Sequence, residues 1–309
     1  MQKILITGGA GFIASSLADS LLATNKYDIV LVDNFLTGDH KKIPDHPRCK
    51  FIKCDVNEYR DIAEIMLAFN FDIVFHYAAV VGVKRTLDNP IMVLKDLEGI
   101  KNILNLSKNT NVERLFFSSS SEVYGEPVEL PQNEHTTPLN SRLPYAVVKN
   151  LGESFCKAYH QEFGLNYTIL RFFNTYGPKQ SSDFVISKFL KLALANAPIT
   201  IYGDGNQTRT FCYIDDNIDC TLAILSKNLL VNDVINLGSD TNYTVLELAK
   251  LIIKLTGSKS PIEFLPPLPE GDMTRRQPDV SKMRKILVRD FVPLETGINK
   301  IISSGFRYW

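Results

Sequence analysis

Several short runs in the first part of the chain are apolar at consecutive positions rather than at alternate ones. Lys3-Ile4-Leu5-Ile6, Ile29-Val30-Leu31-Val32, Phe51-Ile52-Lys53-Cys54, Ile73-Val74-Phe75-His76 and Leu115-Phe116-Phe117-Ser118 are the strand candidates. A strand with one wet face alternates, whereas a strand covered on both faces does not, so these runs predict strands buried between helix layers. A sixth, Thr168-Ile169-Leu170-Arg171-Phe172, follows a long helical stretch. Strand and helix alternating in this way imply βαβ units, and hence an α/β fold with a parallel, doubly wound sheet.

Beyond about Tyr176 the rhythm changes. Turn signals appear at Tyr176-Gly177-Pro178 and Tyr202-Gly203-Asp204-Gly205-Asn206, and a proline cluster at Pro266-Pro267-Leu268-Pro269. Helical stretches run from Phe184 to Ala195 and from Val245 to Thr256. The expected division is a sheet domain over residues 1–175 plus about 211–237, and a smaller mixed α/β C-terminal substrate lobe over 176–210 and 238–309.

Composition narrows the ligand classes. Of 309 residues 45% are apolar and 22% charged, with 34 basic residues against 34 acidic ones. Without a net field to attract nucleic acid or an anionic membrane, any anionic ligand must be met by local groups. The five cysteines are scattered and contain no C-x-x-C, which favours reduced thiols over disulfides or a metal site. No apolar run reaches the ~18 residues of a membrane span. The first residues enter a strand directly, with no basic region and cleavage site, so the expected location is cytoplasmic.

The chemistry concentrates at strand ends. Thr7-Gly8-Gly9-Ala10-Gly11-Phe12-Ile13-Ala14 sits where the first strand ends and a helix begins. Gly8 permits the tight turn, Gly11 lets the backbone approach a pyrophosphate, and the helix N-terminus offers free N–H groups. Ala14 stands where the fingerprint usually has glycine, a mild departure. Asp33, about 20 residues on, would accept hydrogen bonds from ribose hydroxyls and repel a 2′-phosphate, selecting NAD over NADP. The plain alternative is a turn aspartate without a ligand. Asp55-Val56 falls where the adenine would rest, and Ala78-Ala79 are small enough to let a pyrophosphate or nicotinamide ribose pass.

Tyr145 and Lys149 share one face of the helix that follows Pro144, with Leu151, Phe155, Ala158 and Tyr159 as its apolar stripe. A phenol with an ordinary pKa near ~10 is a poor base at neutral pH. A nearby ammonium, with oxidised nicotinamide, would stabilise the phenolate and fit it to take a hydroxyl proton. A chance pair on an exposed helix is the alternative. The preceding strand ends in Ser118-Ser119-Ser120-Ser121-Glu122-Val123-Tyr124-Gly125, whose hydroxyls lie at the carboxyl end of a central strand.

Taken together, these motifs resemble the extended short-chain dehydrogenase/reductases that modify nucleotide sugars: the 4-epimerases, 4,6-dehydratases and glucuronate decarboxylases. The resemblance spans nearly the whole chain. It rests on Thr7-Gly8-x-x-Gly11, Asp33-Asn34, Tyr145-x-x-x-Lys149, Arg171-x-x-Asn174-x-Tyr176-Gly177-Pro178, Gly203-Asp204-Gly205-x-Gln207-x-Arg209 and Arg276-x-Pro278-Asp279. It implies a Rossmann fold holding NAD through Gly8, Gly11, Phe12, Ile13, Asp33, Asn34, Asp55, Val56, Ala78, Ala79, Tyr145 and Lys149. By the same resemblance Ser120 is the catalytic hydroxyl that bonds the sugar 4-hydroxyl, while Asn174, Arg209 and Arg276 are ligands of the nucleoside diphosphate or sugar. Gln207 and Tyr202 shape the nucleoside pocket. Surface salt bridges are the alternative for the two arginines. The resemblance also implies a homodimer paired through helices matching 96–109 and 145–163, or a higher homo-oligomer.

These enzymes first oxidise the sugar at C4 and differ in the fate of the resulting ketone. The dehydratases carry an Asp-Glu pair before Val-Tyr-Gly; here the pair is Ser121-Glu122, which disfavours dehydration. Ser-Glu-Val-Tyr-Gly and Arg-x-Pro-Asp resemble the decarboxylases, whereas Asn140-Ser141-Arg142-Leu143-Pro144 resembles the epimerases and dehydratases. A 4-epimerase and a net 4-dehydrogenase of surface-polysaccharide sugar biosynthesis lead, acting on a hexose or heptose. Decarboxylation is third, and a non-catalytic NAD sensor is the reading from another class. Asp96, where the family often has asparagine, would place a charge near the active-site helix.

Overall fold

The computed structural model describes residues 1–267 and 276–305, so Leu268 and Pro269 of the proline cluster lie outside it. In chain order the elements begin β1 (Gln2–Thr7), α1 (Phe12–Ala23), β2 (Tyr27–Asp33), β3 (Cys49–Lys53), α2 (Tyr59–Phe69), β4 (Ile73–His76), α3 (Val83–Asp88) and α4 (Pro90–Asn109). They continue through β5 (Arg114–Ser120), α5 (Pro144–Phe163), β6 (Asn166–Phe172), β7 (Thr175–Tyr176), α6 (Val185–Leu194), β8 (Ile199–Tyr202), β9 (Thr208–Thr210) and β10 (Cys212–Tyr213). The last are α7 (Ile214–Ser226), β11 (Asp233–Leu237), β12 (Asn242–Thr244), α8 (Val245–Thr256), β13 (Ile262–Leu265), α9 (Ser281–Leu287) and α10 (Leu294–Ser303). Two compact units divide the chain: Met1–Val123, Ser141–Arg171 and Thr221–Ile235 form the first, and Tyr124–Asn140, Phe172–Cys220 and the residues from Asn236 onward the second.

Among the described residues seven strands form one parallel sheet in the order β11-β6-β5-β4-β1-β2-β3. All six runs expected as strands belong to it. The seventh, β11, was not expected; its short Asp233-Val-Ile-Asn-Leu run carries a polar residue in its apolar core. The order reverses at β1, which pairs with β2 on one side and β4 on the other. Ligands of open α/β sheets bind beyond the carboxyl ends of strands at such a reversal. One face of the sheet presents Leu5, Val32, Val74, Leu115, Phe117 and Ile169 to a core shared with α2, α4 and α5. The alternate residues Ile4, Ile6, Leu31, Phe75 and Phe116 are fully buried as well, so both faces are covered. No helix among the described residues is long and apolar enough to cross a membrane.

Helix α5 starts at Pro144, whose fixed φ and missing N–H suit a first helical position, and stops at Gly164 in the left-handed conformation. Its docking face includes only Phe155 and Tyr159 of the apolar stripe expected from sequence, both packed against the core. Leu151 and Ala158 are exposed and Phe155 and Tyr159 half-buried; Ala146, Val148, Lys149, Gly152, Glu153 and Cys156 face inward. The reason is proximity: a Cβ on Gly152 would stand 2.2 Å from Phe117 Cζ, so the helix lies too close to β5 for large side chains. Charge is tolerated there because it is paired. Arg171 on β6 grips Glu153 through Nη2–Oε2 at 2.6 Å and Nε–Oε1 at 2.8 Å, and Ser119 Oγ donates to the same carboxylate at 2.5 Å.

The second unit is built from two-stranded pieces: β7 with β10, β8 with β13, and β9 antiparallel to β12. Helix α8 opens on a capping box in which Thr244 and Glu247 bond reciprocally, and ends at left-handed Gly257. Asn236 ties this unit together, donating to the Gln132 and Asp279 carbonyls and accepting from Tyr124 Oη.

Removing one partner of a buried ion pair leaves an uncompensated charge, so Glu153→Ala should cost about 3–5 kcal/mol in urea unfolding. The double change Glu153→Met with Arg171→Met should recover most of it. An unchanged midpoint in the single variant would show that α5 is anchored elsewhere.

Candidate active site

At the sheet reversal the end of β1 is organised by one hydroxyl. Thr7 Oγ1 accepts from the backbone N–H groups of Tyr77 at 3.1 Å and Ala78 at 3.0 Å, and lies 2.9 Å from His76 Nδ1. With both acceptor positions engaged, the Thr7 proton points at Nδ1, which fixes the neutral His76 tautomer with its proton on Nε2. Burial, reinforced by the Lys149 charge, pushes the His76 pKa down to about 3. The imidazole is a structural acceptor, not a titrating base.

The glycine turn comes next along the chain. Gly8 has φ +68°, and a Cβ there would meet Ala78 N at 2.9 Å; one on Gly11 would meet Gly8 O at 2.9 Å. Phe12 and Ile13 open α1, whose N-terminus has no side-chain cap and no acidic residue in its first turn. Asp33, at the end of β2, accepts from Ala10 N at 3.0 Å through Oδ2 and from Phe35 N at 2.7 Å through Oδ1. Burial raises its pKa, while those N–H groups hold it down. A bare helix N-terminus, a turn with no room for side chains and a carboxylate at the second strand fit the pyrophosphate and ribose of a dinucleotide. Beyond β3, Asp55 accepts from Asn34 Nδ2 at 3.0 Å and from Asn57 N at 2.9 Å. Val56 is buried beside it.

The residues expected to handle protons belong to the same unit. Lys149 is 3% exposed, and its Nζ donates to Ser118 O at 2.7 Å and Ser118 Oγ at 3.3 Å. Burial pushes its pKa down to about 8, and the Asp96 carboxylate acts the other way. The ammonium lies 5.8 Å from the Tyr145 ring centroid. Strand β5 continues through Ser120, so the serine run is strand before it turns. Ser120 Oγ accepts from Glu122 N at 3.2 Å, closing a short 3-10 turn over Ser121–Tyr124. Ser121 is buried and Glu122 half-buried.

The residues expected to meet a nucleotide sugar belong to the second unit. Asn174, at φ +29°, donates from Nδ2 to Thr210 O at 3.0 Å. Arg209 on β9 donates to Thr208 O at 2.8 Å. Gln207 Nε2 reaches the carbonyl of half-exposed Tyr202 at 3.0 Å. Arg276 is buried, on a strap stitched to residues 132–133 by Gln132 N to Gln277 O, Asp279 N to Gln132 O and Asn133 Nδ2 to Asp279 Oδ2.

Sequence reasoning did not single out Thr7 as a hub, His76 as its partner, or Glu153 as the anchor of α5. The signal that could have found them was polarity out of place: His76 ends a run of buried apolar residues, and Glu153 lies on the inward face one turn past Lys149.

Known proteins share this fold. The chain matches the NAD dependent epimerase/dehydratase family over residues 4–238. It is 36% identical to UDP-glucuronic acid decarboxylase 1 of Danio rerio, over 97% of this chain and 72% of that one. The structure of UDP-glucose 4-epimerase with UDP-glucose from Thermotoga maritima superposes with a TM-score of 0.92 at 30% identity, covering 99% of both chains. That of UDP-glucuronic acid 4-epimerase from Bacillus cereus, with UDP-glucuronic acid and NAD, gives 0.89 at 31% identity over 99% of this chain and 98% of that one.

His76 makes stability depend on pH. In the unfolded chain the imidazole takes up a proton as pH falls through ~6.5; in the fold it resists until about 3. The unfolded state then binds more protons, so stability falls as pH is lowered across that window. His76→Asn should flatten this slope in urea unfolding measured against pH, and an unaltered slope would show that His76 does not carry it.

Proposed function

The chain belongs to the NAD dependent epimerase/dehydratase family, whose cofactor is NAD, and from that premise we propose that it oxidises C4 of a nucleoside-diphosphate sugar, hexose or heptose. The carrying observation is the pairing on α5: a buried Lys149 ammonium seated on Ser118, one helical turn past Tyr145. NAD, when bound, supplies the hydride acceptor. Lys149 favours the Tyr145 phenolate, which takes the proton of the sugar 4-hydroxyl at its Oη. Ser120 positions that hydroxyl from the end of β5. Gly8, Gly11, Phe12 and Ile13 meet the pyrophosphate, Asp33 and Asn34 the ribose, Asp55 and Val56 the adenine, and Ala78 and Ala79 leave room for the nicotinamide half. Asn174, Arg209 and Arg276 are assigned to the diphosphate or sugar, and Gln207 and Tyr202 to the nucleoside. Residues 1–175 with about 211–237 then serve NAD, and 176–210 with 238–309 the sugar nucleotide.

The reading is a 4-epimerase, which returns hydrogen to the opposite face of the 4-keto sugar, or a net 4-dehydrogenase, which releases it. Ser121 in place of an aspartate removes the acid that would protonate a leaving hydroxyl and disfavours dehydration. Decarboxylation of a glucuronate is the second reading, favoured by Glu122 beside Ser121, by buried Arg276 and by the 36% identity to the decarboxylase. We assign the protein to the cytoplasm and to surface-polysaccharide sugar synthesis. We also assign it a homodimer through α4 and α5, which leave Ile91, Leu94, Leu151 and Phe163 exposed.

Tyr145→Phe should lower turnover by about 10²–10⁴ with the fold intact by circular dichroism. Full turnover by the variant would remove the catalytic reading. A panel of UDP-, GDP-, dTDP- and CDP-sugars, uronic acids and heptoses included, should give a product of unchanged mass from an epimerase. Loss of hydrogen marks the dehydrogenase and loss of carbon dioxide the decarboxylase. Loss of water would overturn the reading of Ser121.

A further inference from the structure

Two helices bring a charge to the sheet in the same way. On α5, Lys149 lies one turn before Gly152, the point of closest approach to Phe117. On α4, Asp96 lies one turn before Gly99, where a Cβ would stand 2.7 Å from Asn57 Oδ1 and 2.9 Å from Val56 Cγ2. Residues three apart share a helix face, so each charged side chain is on the docked side. Asp96 Oδ2 accepts from Val80 N at 2.7 Å, Asn57 bonds its carboxyl, and Gly99 N donates to Asn57 Oδ1 at 3.0 Å. A carboxylate tied to the loop after β4 and to the turn after β3 is held, not solvated.

We propose that Asp96 is a positioning residue for the Tyr145–Lys149 pair: it supplies the counter-charge that keeps the buried Lys149 ammonium protonated and seated on Ser118. The inference rests on the catalytic reading of that pair and adds to it a residue outside the tyrosine–lysine motif. Several of the described groups face Lys149. Ser118 comes from β5, neutral His76 from β4 and Tyr145 from one turn back, while Glu153, one turn on, is committed to Arg171 and Ser119. Among the described residues, the acidic group whose field acts on Lys149 is Asp96. Burial raises the Asp96 pKa and the like charge of Asp55 adds to it, while the Val80 N–H, Lys149 and the Asn57 side chain hold the carboxylate in its ionised form. The helices that carry the two charges, α4 and α5, pack on each other.

An ammonium already lowered to about 8 by burial would fall further without its counter-charge, and Tyr145 would lose its cation at a lower pH. Asp96→Asn keeps the acceptor for Val80 N and removes only the charge. The test uses the full chain loaded with NAD and isotope-labelled at lysine Cε, with the Lys149 resonance identified by its loss in Lys149→Arg. In Asp96→Asn that resonance should titrate about one pH unit lower, a tenfold gain in acidity. Asp96→Glu should restore it, and the alkaline limb of turnover should move with it. An unmoved titration, with or without a uniform loss of activity, overturns the inference and reduces Asp96 to a loop tether. If Asp96→Asn does not fold, the unaltered protein decides: the Lys149 resonance must show a second, acid step as Asp96 takes up its proton, and a single step overturns the proposal. Neither measurement needs turnover. An active Tyr145→Phe therefore removes the catalytic reading alone, and an unmoved titration removes this one alone.

Discussion

Helix α5 reaches the sheet because position 152 has no side chain, and most of the chemistry of the first unit depends on that contact. With Phe117 filling the space a methyl would need, the helix axis is brought close enough for Lys149 to bond the main chain of Ser118 and for Glu153 to reach Ser119 and Arg171. A helix held one side chain further out would leave the ammonium in water, where it would titrate as an ordinary lysine and hold no defined relation to Tyr145. The cost of burying two charges on that face is offset by a bidentate partner for the carboxylate and by carbonyl and hydroxyl acceptors for the ammonium.

Much of the sheet was legible in the sequence because its strands are covered on both faces and so read as uninterrupted apolar runs. The glycine turn and the tyrosine–lysine spacing were legible because each is a local arrangement: three glycines within one turn, two side chains one helical turn apart. What could not be read was set by distance along the chain. Of the apolar stripe expected on α5, Phe155 and Tyr159 pack against the core while Leu151 and Ala158 are exposed, because periodicity rewards hydrophobicity, whereas the tight contact at Phe117 selects small residues and tolerates paired charge. Glu153 and Arg171 are 18 residues apart and Thr7 and His76 are 69 apart, so their pairing exists only in the fold. Asp96 stood out as a departure, but its bond to the Val80 amide, 16 residues away, exists only in the fold.

The carboxyl end of the sheet is also where polar side chains take over from strand ladders. Asn34 bonds Asp55, Asp55 bonds the amide of Asn57, Asn57 receives the amide of Gly99, and Asn102 donates to the Val56 and Asn57 carbonyls. Each link satisfies a backbone or amide group that a tight turn would otherwise leave without a partner. Asparagine and aspartate suit this work because their short side chains reach the backbone two residues on. The same loops are thereby fixed against α4, and a protein with no net charge presents locally concentrated groups in a defined arrangement.

Gly8 does more than fit a tight space. Its left-handed backbone is a conformation that glycine visits freely in the unfolded chain, and folding confines it to that one state. The amide of Ala78, bonded to the Thr7 hydroxyl, lies directly against it. The loss of disorder in this turn therefore belongs to folding and not to the arrival of a ligand. A cofactor docking there as proposed would meet amide dipoles already aimed, with little of its binding free energy diverted to arranging them. On that assignment, rigidity at this turn would act as latent affinity, set aside when the chain folds.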